Sequence, residues 1–404
     1  MFPQNFLWGA ATSSHQVEGG NTNNDWFLWE KEGRTAQPSG QATRHYEFFD
    51  ADFRLAKELG HNAHRFSVEW SRIEPQEGSF DEAAIQHYRD VIASLRLKSI
   101  EPIVTLHHFT NPIWFYRQGG WLQEQSAQLF SRYVEKIVTA LGRDVKYWIT
   151  LNEPMVFVYY SFLGGLWPPG IKSVPKAWQV TGNLIKAHLY AYRVIHDVYR
   201  KKQWLAPRVG IAHNLMVFKV CAQSNNFFCQ LGVFLRHRFF NLHFLNAIKS
   251  AMDFIGVNYY AREFISNHKH LPYGLLGGKC NQVHGHVGHL NTLFWDSCPE
   301  GLFEVLCWLK KFKKPILITE NGTCEDDDEM RWEFIADHLR QLDRALKAKI
   351  PIIGYLYWSL LDNYEWHHGF RHCFGLIGVD YKTFKRTVRS SALRFKEVIT
   401  RGRI

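Results

Sequence analysis

The sequence predicts an α/β fold, a single (β/α)8 TIM barrel over residues 1–404, and three observations carry that prediction. Eight short segments rich in β-branched and aromatic residues alternate with amphipathic helical stretches, which implies a parallel sheet. Several of these segments are apolar almost end to end, as strands buried on both faces must be. No Ser/Gly/Pro-rich linker and no short-period repeat divides the chain. Eight βα units in one run therefore fit a closed barrel better than a doubly wound sheet with a second domain.

The first strand is expected in "NFLWGAAT" (5–12) and the second in "HRFSVEW" (64–70). After the second, Ile85, Tyr88, Val91, Ile92 and Leu95 recur at helical spacing. "EPIVTLHHF" (101–109) is the third strand, and Leu129, Phe130, Tyr133, Val134, Ile137, Val138 and Leu141 mark one face of the helix that follows. The remaining strands are "YWITLNE" (147–153), "RVGIAHN" (208–214), "DFIGVNYY" (253–260), "PILITEN" (315–321) and "IIGYLYW" (352–358).

Many of these segments end on polar or aromatic residues: Glu69-Trp70, His107-His108, Asn152-Glu153, Asn214, Asn258-Tyr259-Tyr260, Glu320-Asn321 and Trp358. A glutamate at a strand end is ordinarily a loop residue facing water. In a barrel, however, the C-terminal strand ends surround one shared site. Glu153 and Glu320 would then meet at the mouth from strands four and seven.

Two carboxyl groups suffice for glycoside hydrolysis if one stays protonated and the other ionised, which requires unlike surroundings. Asn152 beside Glu153 offers an amide but no cation, whereas Arg65 and Tyr260 are placed to stabilise an anionic Glu320. Glu320 then reads as nucleophile and Glu153 as acid, later base. Spacing alone leaves open that either glutamate is structural.

Composition sets outer bounds. Hydrophobic residues make up 46% and charged residues 21%, as in a protein with a sizeable core. Aromatics reach 15%, including 15 tryptophans, more than packing alone needs; sugar rings, with apolar faces and polar edges, suit such side chains. The formal charge is +10, but lysine and arginine look scattered, and the densest runs, "KKFKK" (310–314) and "RKK" (200–202), sit at apparent helix ends. No nucleic-acid partner is expected. "MFPQNFLWGAATSS" does not read as a signal peptide, and no apolar run reaches the ~18 residues of a membrane span, so no membrane partner is expected. Seven irregularly spaced cysteines without a CxxC pair suggest a reduced, cytoplasmic protein.

"TLNEP" and "ITENG" together resemble the acid/base and nucleophile motifs of glycoside hydrolase family 1, the β-glucosidase family, and the likeness runs over nearly the whole chain. It implies a retaining exo-β-glycosidase of the barrel fold, needing no cofactor or metal, with a small β-glycoside or oligosaccharide as substrate. In "FLWGAATSSHQVEGG", Gln16 falls on the sugar-binding glutamine; in "RFSVEWSRIEP", Arg65 falls beside the nucleophile; in "TLHHFTNP", His108 falls on the sugar-binding histidine. "GVNYY" places Tyr260 against the nucleophile, with Asn258 supporting it, and Asn152 joins the substrate contacts. "WSLLDNYEWHHGF" puts Trp358 under the sugar ring and Glu365 and Trp366 on its distal hydroxyls. Trp295 in "FWDSCPEG" resembles the aglycone-side tryptophan. The chain departs from the family pattern at Phe109, where tryptophan is usual, at Cys298, where tyrosine is common, and at Cys373, where arginine is common.

Two alternatives remain within the sequence. A 6-phospho-β-glycosidase would hold its phosphate with serine, lysine and tyrosine near the last strand, where this chain has Glu365-Trp366. A non-catalytic carbohydrate-binding relative would be supported by loss of a catalytic glutamate, and both are present. His268, His270, Cys280, His284, His286 and His289 lack the spacing of a zinc module. "EDDDE" (325–329) reads as an acidic first helical turn rather than a calcium site.

Overall fold

The computed structural model describes residues 1–222, 225–266, 278–280 and 289–404. Its centre is a closed barrel of eight parallel strands. These are β1 (Leu7–Ala11), β2 (Ala63–Ser67), β3 (Glu101–Thr105), β4 (Tyr147–Asn152), β5 (Arg208–Asn214), β6 (Ile255–Asn258), β7 (Ile316–Asn321) and β8 (Ile352–Trp358). Each overlaps one of the eight predicted segments, with β2 starting one residue before its segment. The ring closes through Ala11, which pairs with Arg65 of β2 and Trp358 of β8.

The N-terminal end of the barrel is plugged by side chains pointing inward, among them Ala63, Ile103, Ile149, Phe254, Leu317 and Leu356, all essentially inaccessible. Fully burying an apolar side chain of this size contributes about 1.5–3 kcal/mol, so this end is closed to solvent and ligand alike. Strands must also approach closely here. A Cβ on Gly9 would lie 1.8 Å from the Ala63 carbonyl oxygen, which explains glycine in the middle of β1.

The outer helices follow the predicted periodicity. Helix Glu82–Leu97 buries Ile85, Tyr88, Val91, Ile92 and Leu95, and Asp81 caps it by accepting from the amides of Ala83 and Ala84. Helix Ser126–Leu141 buries the seven apolar residues expected of it. Arg200, Lys201 and Lys202 fall in the last turn of helix Val174–Lys202, where cations complement the dipole. No helix among the described residues is long and apolar enough to cross a membrane.

The structure shortens several predicted strands; β3, expected to residue 109, stops at Thr105. β2 stops at Ser67 because Trp70–Ile73 turns into a short helix, with Glu69 extended at its start. β6 stops at Asn258, and Tyr259 and Tyr260 lie beyond it. Two small sheets escaped the sequence reading: Val217–Val220 with Arg262–Ser266 and Gly278–Lys279, and the hairpin Ile377–Val379 with Arg386–Val388. Both are short strands inside loops, where an alternating pattern has too few residues to register.

Candidate active site

The chain leaves β4 through Glu153, which adopts φ 43° and ψ 56°, the left-handed region. Pro154 then opens helix Pro154–Val158 at a position where its missing N–H is not needed. The strand therefore ends in Asn-Glu-Pro because a proline starts the next helix and a left-handed residue makes the turn. That conformation is unfavourable for a residue with a Cβ by roughly 1–2 kcal/mol. The Glu153 amide donates to the Ala212 carbonyl across 2.7 Å, which holds the turn in place.

Glu153 is buried, and its Oε1 accepts from Asn258 Nδ2 at 2.8 Å and from Asn214 Nδ2 at 3.0 Å. Burial, and secondarily the charge of Glu320, pushes its carboxyl up to about 8, against the pull of these amides and of Arg65. Glu320, on β7, has the opposite surroundings. Its Oε1 pairs with an Arg65 guanidinium nitrogen, and its Oε2 accepts from the Tyr260 hydroxyl at 2.5 Å. Arg65 is itself locked, donating to Thr105 Oγ1 at 3.0 Å and to Asn152 Oδ1 at 2.6 Å. Burial and the Glu320 charge hold the Tyr260 hydroxyl protonated far above its usual range, so it serves as a donor.

Two sequence expectations are corrected here. Asn152 offers Glu153 no amide: its Oδ1 is taken by Arg65 and Asn258, and its Nδ2 faces His108 Nε2 at 3.1 Å. Asn258, expected to support Glu320, donates to Glu153 instead, while its Oδ1 accepts from Thr319 Oγ1 at 2.6 Å. Both bonds reach past one strand, from β2 to β4 and from β6 to the end of β4, because side chains at one height inside a barrel come from alternate strands. Asn214 went unassigned in the sequence although it ends β5; its position at a strand end was the signal.

Beside the two glutamates stands an aromatic wall. The His108 ring lies nearly parallel to Trp358 and to Trp366, with centroids 5.9 and 6.0 Å away. Asn152 presents its amide nitrogen, so His108 Nε2 accepts and Nδ1 carries the proton; Nδ1 is buried without a partner. Burial holds the His108 ring neutral. Gln16 donates to Asn363 Oδ1 at 3.0 Å, to the Tyr364 carbonyl at 2.9 Å and to Glu365 Oε2 at 3.4 Å. The Glu365 carboxyl is pushed up to about 8, chiefly by burial and then by the charges of Glu320 and Glu153. The Trp295 ring lies 5.4 Å from that of Tyr260, and both pack against the cluster that includes Trp358.

Of the three departures from the family pattern, Phe109 packs through its side chain, whereas the bonds at Cys298 and Cys373 are to their backbone carbonyls. Phe109, with φ 72°, packs 5.1 Å from Trp366 and 4.9 Å from Trp167. The Cys298 carbonyl accepts from Tyr259 at 2.7 Å, and the Cys373 carbonyl accepts from Arg331 at 2.7 Å.

Among the described residues no group of three or more His, Cys, Asp or Glu side chains is arranged to hold a metal. His289 pairs with Glu325 at 2.9 Å. His268, His270, His284 and His286 lie outside the described residues. In the acidic run, Asp327 caps helix Asp328–Lys347, with Asp328 and Glu329 in its first turn.

One carboxyl group raised by burial and another paired with a guanidinium, at the mouth of a parallel barrel, form an arrangement able to supply the two unlike carboxyl groups that glycoside hydrolysis needs. Known proteins agree. The Glycosyl hydrolase family 1 model matches residues 1–229 and 236–403, and the chain belongs to that family. It is 30% identical to a 1,4-beta-D-glucan glucohydrolase of Thermotoga neapolitana over an alignment of 448 residues covering 98% of each chain. Among solved structures it matches a beta-glycosidase from Pyrococcus horikoshii with a TM-score of 0.91 and 39% identity, over 98% of this chain and 94% of that one. A beta-glucosidase from Thermotoga maritima in complex with glucoimidazole matches with a TM-score of 0.91 and 27% identity, over 100% and 99% of the two chains.

Proposed function

We propose that this glycoside hydrolase is a retaining exo-β-glycosidase that removes terminal β-linked glucosyl residues, with galactosyl, fucosyl and mannosyl residues as competing substrates. The observation that carries the reading is the asymmetry of the two glutamates. Glu153, raised to about 8, enters the reaction as the acid that protonates the glycosidic oxygen. Glu320, gripped by Arg65 and Tyr260, attacks the anomeric carbon from the opposite face and forms a glycosyl ester. Glu153, now ionised, takes a proton from water, and the resulting hydroxide displaces Glu320. The product keeps the β configuration.

Gln16, His108, Glu365, Trp358 and Trp366 form the wall that suits a hexose: apolar faces for the ring and hydrogen-bonding edges for its hydroxyls. The unpartnered His108 Nδ1 is a donor awaiting an acceptor such as a sugar hydroxyl. Asn152 orders that wall rather than the acid, since it bridges Arg65, Asn258 and His108. Trp295 reads as the aglycone-side platform. Seven cysteines without a CxxC pair support residence in a reducing compartment such as the cytoplasm.

A panel of nitrophenyl β-glycosides, followed by NMR of the first-formed sugar, tests the proposal. Hydrolysis of the β-glucoside with initial release of the β anomer is the expected result. An initial α product would overturn the two-step mechanism, and no turnover of any neutral hexoside would overturn the substrate class.

A further inference from the structure

Helix Phe227–Arg236 is built inside out. Its buried residues are Cys229 and Gly232, both small, while Phe227, Phe228 and Phe234 are 69%, 46% and 60% exposed. Phe227 and Phe234 are seven residues apart and so share a face, and Arg238, also exposed, continues it. Core packing does not explain this order, since it places the largest apolar surfaces in water. The patch extends sideways. Exposed Phe239 lies 6.0 Å from exposed Trp178, and Trp178 lies 4.8 Å from His243. Tyr159, Leu163 and Leu166, in the segment leading away from Glu153, are also exposed, so exposed apolar side chains occur beside the mouth as well.

The segment that carries this surface is basic, although Arg200, Lys201 and Lys202 lie at the far end of helix Val174–Lys202 from Trp178. From Pro154 to Met252 the chain carries twelve lysines and arginines and one acidic residue, Asp197. This quarter of the sequence accounts for the whole formal charge of +10, and the rest is nearly balanced. The cations that looked scattered are concentrated once the missing acids are considered. Lys172, Lys176 and Arg238 are exposed among the apolar residues just named.

We propose that this face docks peripherally on an anionic lipid bilayer, with Phe227, Phe228, Phe234 and Trp178 entering the headgroup boundary. Aromatic side chains interleaved with exposed cations are what such an interface selects, and each cation near an anionic surface adds to the attraction. A second copy of the chain is the weaker occupant. An isologous contact would set the same positive patch against itself, and like charges would oppose it. This is surface docking rather than spanning, so the lack of a membrane-crossing helix among the described residues does not bear on it.

Co-sedimentation of the intact enzyme with vesicles of pure phosphatidylcholine and of phosphatidylcholine with 30% phosphatidylglycerol tests the proposal. Binding to the anionic vesicles should exceed binding to the neutral ones ~10-fold or more and should fall as salt is raised to ~0.5 M. A triple Phe227→Ser, Phe228→Ser, Phe234→Ser variant and, separately, Lys176→Glu with Arg238→Glu should each lose most of that binding. Both should hydrolyse a soluble nitrophenyl glycoside at the parent rate, which shows that they are folded. Equal or absent sedimentation with the two vesicles overturns the proposal. So does a dimer that the phenylalanine variant dissolves, or binding to single-stranded RNA as tight as to anionic vesicles.

Discussion

Asn258 Nδ2 donates to Glu153 Oε1 across 2.8 Å, so the proposed acid is held by an amide from the strand beside the one carrying Glu320. With Asn214 it gives Glu153 two donors, and donors favour the anion. They oppose the burial that raises the carboxyl to about 8. The basic limb of kcat/KM should therefore lie near that value and move upward when a donor is removed. Asn214→Leu should raise it by about one unit, equivalent to ~1.4 kcal/mol. A downward shift would mean that the limb reports another group, Glu365 being the neighbour that titrates in the same range.

The same displacement predicts a stability effect. A buried carboxyl raised from 4.5 to about 8 keeps its proton in the folded state while the unfolded chain loses it. Stability from this group is thus full below pH ~4.5 and declines as pH rises toward 8. Glu153→Gln, which removes the ionisation, should raise Tm at pH 8 and change it much less at pH 4. Thermal unfolding of both proteins at the two pH values checks this, and an equal shift at both would contradict it.

Glu320 should become covalently attached to substrate. A 2-deoxy-2-fluoro glycoside slows the second step and should leave its label on the peptide carrying "ITENG". Label on the Glu153 peptide would reverse the two roles. Tyr260→Phe, which removes the 2.5 Å hydrogen bond to Glu320, should lower kcat/KM on the unlabelled glycoside by ~10-fold or more, since a bond to a charged group contributes ~1.5–3 kcal/mol.

Glu365 separates neutral from phosphorylated sugars. Pushed up to about 8 by burial, its carboxyl is mostly protonated near pH 7, and its bonded neighbour is the uncharged Gln16, so neither offers a cation to a phosphate. A sugar 6-phosphate would bring about two negative charges into this dry pocket beside Glu153 and Glu320. Nitrophenyl β-glucoside should be hydrolysed and its 6-phosphate little or not at all. Glu365→Ser should lower kcat/KM on the neutral sugar ~10-fold or more. A wild-type preference for the phosphorylated substrate would refute this.

Activity should withstand chelation, because two carboxyl groups supply both the proton transfer and the nucleophile. The decisive measurement is turnover after prolonged dialysis against EDTA. Activity lost and then restored by zinc would bring the histidine-bearing segment around residues 268–289 into the mechanism.

The sequence by itself determined the barrel and the placing of Glu153 and Glu320 at the C-terminal ends of two of its strands. Strand composition is a local property: "YWITLN" or "ILITEN" is apolar on both faces wherever it is placed, and eight such segments separated by helices leave few other arrangements. The short helix at Trp70 and the small sheets inside loops were not legible, because their elements are only two to five residues long. Tertiary structure alone decided who touches whom at the mouth. Asn152 is next to Glu153 in sequence yet serves Arg65 and His108, while Asn258 and Asn214, from two other strands, supply the amides. Asn152 ends β4 and Glu153 turns away from it in the left-handed region, so the two neighbours meet different side chains brought to the same height by other strands. The partners of a barrel's site are therefore set by register, which only the closed sheet fixes.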